Sequence, residues 1–312
     1  MEEFFPQLEG DLTRLTWAHA VNSRRLMNET LRGDRMMIEG DVIICRDSRD
    51  PKAPPKPMMG HPPATESDLS LKEFLEAIGH SNTHSDSHQR GIKLDFKSIE
   101  VFNASEPVLE EYLYKARDGV EFVPLWLNAD IISGPINSKT KPVDADIFLR
   151  TVDEKFPNSI ISVGWTTEMS EKNSVGGYTT AHINGMTAAL SRNRISQPVS
   201  FPVRAGLAAQ SREALISLIK TSVPGTTLTI WMSSENDPVS IPKLRCLIKN
   251  IGLNRTFIDV PDSVKNQLDL ANIASATCAP ETPPENENAA PMAASHLGIV
   301  LLAVAASLYV LS

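Results

Sequence analysis

The chain has 312 residues, 41% hydrophobic and 22% charged, which is the make-up of a globular protein with a sizeable core and not of a disordered one. A formal net charge of -8 leaves no basic stripe to neutralise phosphates, and this excludes a general nucleic-acid binder. Cys45, Cys246 and Cys278 form no CxxC pair and no metal spacing; one disulfide would leave an odd thiol.

Residues 1–14 read as an N-terminal extension. The start, Met1-Glu2-Glu3-Phe4-Phe5-Pro6, has neither the basic nor the apolar region of a signal peptide. Residues 15–276 then repeat one alternation eight times. Strands are expected at Leu15–Ala20, Met36–Ile44, Gly91–Lys97, Phe122–Ile131, Ser159–Thr166, Val199–Gly206, Thr227–Ser233 and Arg255–Val260. All are short, apolar and bounded by polar, Gly or Pro residues. Helix-period segments follow nearly every strand. Ser70 to Ile78 has a capping box in Ser70 and Glu73, with Gly79 as its stop. The others run over Pro107–Arg117, Asp144–Phe156, Ala181–Arg192, Ser211–Thr221, Ile241–Ile251 and Ser263–Ile273.

Near-continuous apolar strands alternating with helices imply a parallel sheet covered by helices. Eight such units give the count of a single α/β (β/α)8 TIM-like barrel. A doubly wound open sheet is the rival, but no G-x-G-x-x-G follows the first strand. The second unit is irregular. Asp47 to Glu66 carries Pro at 51, 54, 55, 57, 62 and 63, an excursion expected on the active-site face.

Beyond the barrel, 277–296 reads as a disordered polar, Pro-rich linker and 297–312 as a hydrophobic tail. The apolar run Leu297–Leu311 is short for a membrane span, which needs about 20 residues. Asn288-Ala289-Ala290 with a spacer and the tail fits a GPI-attachment signal; a tail anchor and a hydrophobic last helix are the alternatives. Sequons at Asn28, Asn103 and Asn254 accord with secretion, so a cell-surface or extracellular glycoprotein is expected, with membrane contact through the tail.

The candidate chemistry lies at strand ends. His19 ends the first strand, Glu39 and Asp41 lie late in the second, and Asp95 and Lys97 close the third. Carboxylates inside apolar runs cost free energy unless charge compensates them. In Glu39-Gly40-Asp41 and Asp95-Phe96-Lys97 the i, i+2 spacing puts both polar groups on one side of a strand. Three converging carboxylates suit a hard cation, Mg²⁺ or Ca²⁺, with Lys97 holding a phosphate oxygen or balancing the cluster. A strand-end salt bridge such as Asp95–Lys97 explains any single member; the set on three consecutive strands favours a site. Asn22, Asn128, Asp130 and Arg204 extend the polar mouth, with a barrel salt bridge an equal reading for Arg204, and Trp165 and Trp231 either form pocket walls or simply fill the barrel top. His182 opens a helix, either to meet a phosphate or to cap it. His80, His84 and His88 read as a solvated loop, not a Zn²⁺ site.

The H-x-V-N, E-x-D and D-x-K motifs with a later loop histidine resemble the glycerophosphodiester phosphodiesterase-like superfamily, including the spider-venom type phospholipase D. The longer match of Leu15–Ala20, Met36–Ile44 and Lys93–Lys97, with the Trp165 and Trp231 strands, is similar to the menorin family. That resemblance implies that His19 and His61 are general acid and base, that Glu39, Asp41 and Asp95 hold the metal, and that Lys97 and Trp231 line the headgroup pocket. The chain departs from glycerophosphodiesterases in having Ala20-Val21 after His19 and Pro62-Pro63 after His61. Asp95 stands where they have glutamate, as in the venom-type enzymes. A metal-dependent phosphodiesterase acting on glycerophosphodiesters or phospholipid headgroups is expected. The rival is a catalytically weak or inactive cell-surface module that binds extracellular protein partners.

Overall fold

In the computed structural model, residues 1, 3–83, 89–117, 123–136, 138–167 and 176–280 are described. The expected tail, most of the linker, His84 and His88 lie outside these residues.

Among the described residues ten strands form one sheet: β1 (Trp17–Ala18), β2 (Met37–Asp47), β3 (Lys56–Met59), β4 (Glu66–Ser67), β5 (Gly91–Phe96), β6 (Leu125–Ile132), β7 (Ile160–Trp165), β8 (Val199–Arg204), β9 (Thr227–Trp231) and β10 (Thr256–Asp259). Eight of them run in the order β1-β2-β5-β6-β7-β8-β9-β10, all parallel. The helices are α1 (Arg24–Arg32), α2 (Leu71–Asn82), α3 (Ile99–Arg117), α4 (Ala145–Lys155), α5 (Thr180–Arg192), α6 (Ala205–Ala208), α7 (Arg212–Thr221), α8 (Ile241–Ile251) and α9 (Asp262–Leu268). The architecture is the expected α/β TIM-like barrel, nearly closed. Between β10 and β1 the described strands form no ladder. Side chains join this seam instead, with the Trp17 and Phe257 rings edge to face at 6.3 Å. Beneath it, Phe5 and Leu8 of the N-terminal extension are fully buried against Trp17, Trp126 and Phe257.

Four helical expectations need correction. A helix precedes β2: α1 is short and mostly polar, with Leu26, Met27 and Leu31 its apolar residues and Met27 alone fully buried, so its apolar face is too narrow to stand out. Its cap is Ser23, whose hydroxyl accepts from Leu26 N–H. The second correction is to α2, which has the expected capping box but runs through Gly79 to Asn82. Gly79 is buried near Tyr112, and the Asn82 side chain ties both the N–H and the carbonyl of Arg90. Third, α3 starts at Ile99, not Pro107. Ser98 Oγ accepts from Val101 N–H and the proline ring lies on the exposed face, where solvent can serve the carbonyl it leaves unpaired. The last helix stops at Leu268, because Asp269 is left-handed at φ 43°, and a 3-10 segment Leu270–Ser275 continues.

The Pro-rich excursion is not simple loop. β3 pairs antiparallel with β2, and β4 extends it in parallel. Arg49 ties the excursion to α2, bonding Asp47 at 2.7 Å and Glu73 at 3.1 Å. Cys246 and Cys278 form a disulfide that fastens the end of the barrel to α8, and Cys45 is a buried free thiol.

Candidate active site

Strand register gathers the site. Asp41, Asp95, Asn128 and Ser162 are successive partners across β2, β5, β6 and β7, so their side chains form one row around the barrel interior. Glu39 and Lys93 are partners one step below, and Arg204, Trp231 and Asp259 form a second row on β8, β9 and β10. Glu39, Asp41 and Asp95 each offer one carboxylate oxygen within 4.8 Å of the others. All three face a common point, as the i, i+2 spacing implies.

Each carboxylate is held. Ala20, in the left-handed region at φ 54°, donates its N–H to Glu39 Oε2 at 2.7 Å. Asn22 grips Asp41 twice: its Nδ2 donates to Oδ2 at 2.7 Å, and its Oδ1 accepts from the Asp41 N–H at 2.8 Å. Asn128 Nδ2 donates to Asp95 Oδ1 at 2.8 Å and is itself fixed by Ser162 Oγ at 2.6 Å. Lys97 Nζ bridges Asp41 Oδ1 at 2.6 Å and Asp95 Oδ2 at 2.5 Å.

His19 Nδ1 lies 2.8 Å from Asp259 Oδ2 and 4.0 Å from Glu39 Oε2. Burial alone would lower its pKa, but Asp259 and Glu39 outweigh it and push the imidazole up to about 9. The ring stacks on Trp231, with centroids 6.4 Å apart and planes 17° from parallel. The His19–Asp259 bond also crosses the β10–β1 seam, so the site helps to close the barrel.

Burial pushes Glu39 upward, and the neighbouring Asp41 and Asp95 add to this against the pull of His19 and Lys93. For Asp95 burial acts the same way, yet Lys97 and Lys93 prevail and hold it below the usual carboxylate range. Asp130, at the end of β6 over Gly164, is pushed to about 7 by burial and by Asp95.

Other expected residues lie apart from the carboxylates. The N–H of Gly60 bonds the Asp41 carbonyl at 2.9 Å, which brings residue 61 near the mouth. The His61 ring is nevertheless exposed, its Nδ1 at 2.7 Å from its own neighbour Pro62 O. Arg204 takes the salt-bridge role, bonding Asp237 at 2.8 Å and Ser233 Oγ at 2.6 Å, and its guanidinium lies 5.2 Å from the Trp231 ring centre. His182 caps: its Nδ1 accepts from Thr179 N–H at 3.0 Å. Trp165 fills the barrel top, fully buried against Tyr178 and Phe201, and His80 lies on exposed α2 surface. A cavity of about 570 Å³ sits at the opposite end of the barrel, lined by Trp126, Ile160 and Phe257, and holds none of the expected site residues.

Sequence reasoning missed Asp259 and Lys93. Asp259 carried the same signal as Asp95, a carboxylate closing an apolar strand in Thr256-Phe257-Ile258-Asp259. Lys93 lies two residues before Asp95 on the same side of β5. It is buried below the carboxylates with its Nζ 5.7 Å from the Trp17 ring centre.

These features define a nearly closed α/β barrel with an acidic cluster and a histidine–aspartate pair at the C-terminal ends of its strands. A model of the Menorin N-terminal domain matches residues 11–265, and the human protein FAM151B is 37% identical over 250 residues, which is 80% of this chain and 83% of that protein. The chain belongs to the menorin family. Among solved structures, an Oleispira antarctica phosphodiesterase in complex with sn-glycerol-3-phosphate aligns with a TM-score of 0.44 and 11% identity over 81% of this chain and 96% of that one. The GH53 catalytic domain of Ignisphaera aggregans gives a TM-score of 0.36 and 11% identity over 82% of both chains.

Proposed function

We propose that the barrel mouth is a divalent-cation-dependent phosphodiesterase site acting on glycerophosphodiesters or phospholipid headgroups. The observation that carries this reading is the convergence of Glu39, Asp41 and Asp95 within 4.8 Å beside a histidine already paired with a carboxylate. The donor set is all oxygen, which suits Mg²⁺ or Ca²⁺. Charge counting supports the fit. Among the described residues Glu39, Asp41, Asp95, Asp130 and Asp259 bring five carboxyl groups together against Lys93, Lys97, Lys265 and His19, so negative charge is in excess when all of the carboxyls are ionised, and a bound cation would favour that ionised state. The upward push on Glu39 comes first from burial, and the neighbouring Asp41 and Asp95 add to it.

When bound, the cation would neutralise phosphoryl charge and polarise the phosphorus–oxygen bond. The chain's own groups move the protons. Asp259 occupies Nδ1 of His19 and orients the ring, leaving Nε2 for transfer. With its pKa raised to about 9, His19 carries a proton at neutral pH and suits the general acid, giving it to the departing oxygen as the phosphorus–oxygen bond breaks. The attacking hydroxyl forms the new bond and gives its proton to His61, whose ring must first leave Pro62 O. Trp231 backs His19 and forms a wall of the pocket.

The test is a phosphodiesterase assay of the purified chain with Mg²⁺ on a glycerophosphodiester and lysophospholipid panel. His19→Ala and Glu39→Ala are each expected to cost about a hundredfold or more, and His61→Ala tests the base separately. No turnover by wild type with metal bound would sink the reading. A non-catalytic binding module with extracellular protein partners is the second reading; Lys97 favours it by already pairing two of the three carboxylates. The Cys246–Cys278 disulfide supports the oxidising compartment that a cell-surface location requires. Release from intact cells by a phosphatidylinositol-specific phospholipase is expected if the tail directs a GPI anchor.

A further inference from the structure

Every oxygen of the two aspartates in the cluster already has a partner. Asp41 Oδ2 accepts from Asn22 and Asp95 Oδ1 from Asn128, while Asp41 Oδ1 and Asp95 Oδ2 both belong to Lys97. A hard divalent cation needs carboxylate oxygen at roughly 2.0–2.6 Å, and an ammonium between the same two oxygens stands in that space. Binding a cation there requires one partner to give way.

The partners are not equally easy to displace. Asn22 is fixed at both ends of its amide, by Asp41 Oδ2 and by the Asp41 N–H. Asn128 is likewise fixed, by Asp95 and by Ser162 Oγ, and is nearly fully buried. Lys97 is held at the aspartates through its ammonium alone, on a flexible four-carbon stem, and its side chain is 23% exposed. It can swing without breaking the barrel row, and it would remain close enough to meet an anionic group arriving at the mouth.

We propose that Lys97 is an exchangeable internal counter-ion. Its ammonium and a divalent cation compete for Asp41 Oδ1 and Asp95 Oδ2, and cation binding turns Lys97 outward to receive the phosphate of the substrate. The proposal rests on the cation reading of the Glu39, Asp41 and Asp95 cluster. It makes Lys97 a residue that sets metal affinity and then binds substrate, metal first and phosphate second.

Two readouts independent of activity test it. The first is Mn²⁺ affinity by calorimetry and electron paramagnetic resonance for wild type, Lys97→Met and Lys97→Gln, with Glu39→Gln as the site control. Loss of the competitor is expected to tighten Mn²⁺ binding by about tenfold or more in both Lys97 variants, and Glu39→Gln is expected to weaken it. The second is acylation of the Lys97 amine in wild type by an N-hydroxysuccinimide ester, followed by peptide mass mapping; labelling is expected to rise severalfold when Mn²⁺ saturates the protein. Equal or weaker Mn²⁺ binding by both folded variants, or unchanged labelling while Mn²⁺ binds, overturns the proposal and leaves the cation site standing. No Mn²⁺ binding by wild type or by either variant overturns the cation reading and the exchange with it.

Discussion

Replacing Asp259 with Asn preserves shape and removes one charge, and its effect falls on His19. Asp259 is the nearest anion to the imidazole, at 2.8 Å, whereas Glu39 is 4.0 Å away. Together they raise the pKa from 6.5 to about 9 against the opposing effect of burial. Full conversion of that rise would give about 3 kcal/mol. The His19 side chain is 35% exposed, so solvent screening reduces this to about 1–2 kcal/mol. Asp259→Asn is therefore expected to lower the His19 pKa by about one pH unit or more. The folded pKa is raised, so the linked stability is fully present below pH 6.5 and is lost as pH rises through about 9. The variant should lose that contribution at pH 6 and match wild type more closely above pH 9. NMR titration of the imidazole protons in EDTA, with His19→Gln giving the assignment, measures the pKa; urea midpoints across the same pH range measure the stability. A His19 pKa still near 9 in Asp259→Asn would refute the pairing.

Asn22→Ala removes both bonds to Asp41 and should destabilise the fold by about 1–3 kcal/mol in urea unfolding; a loss under a few tenths would contradict the clamp. Gly164→Ala would put a Cβ 2.7 Å from Asp130 Oδ1 and 2.9 Å from Pro202 Cγ, so a lower Tm is expected, with a cost of about 1–3 kcal/mol. Burial would raise Glu73, but its bonds to Arg49, Ser70 and Arg24 hold it down at about 2, so the linked stability exists above pH 4.5 and is lost as pH falls towards 2. Glu73→Gln should flatten that acid limb in urea midpoints measured from pH 5 downward. The Cys246–Cys278 disulfide closes a separation of 32 residues, and Cys246→Ser with Cys278→Ser should cost about 3–4 kcal/mol; an unchanged Tm after reduction would count against it.

The barrel was legible because its signal is local. Each strand is a short apolar run that must be buried on both faces, and eight runs alternating with amphipathic segments admit few other arrangements. What failed to read was structure stabilised from outside its own segment. Only Leu26, Met27 and Leu31 mark α1, a narrow face in a short helix that Ser23 caps. Packing of Val101 and Phe102 carries α3 through Pro107, and Arg49 fastens the excursion to α2.

The site divides along the same line. Sequence alone determined that Glu39, Asp41, Asp95 and Lys97 share strand faces, because side-chain direction alternates with a period of two along any strand. Only the tertiary structure decided that Asp41, Asp95, Asn128 and Ser162 form one row, since register between strands is set by packing around the whole barrel. It alone paired His19 with Asp259, 240 residues away, across the seam where the first and last strands meet. It also left His61 bonded to its own turn. Contacts between chain ends depend on closure of the barrel, a property of the whole sheet that no single segment encodes.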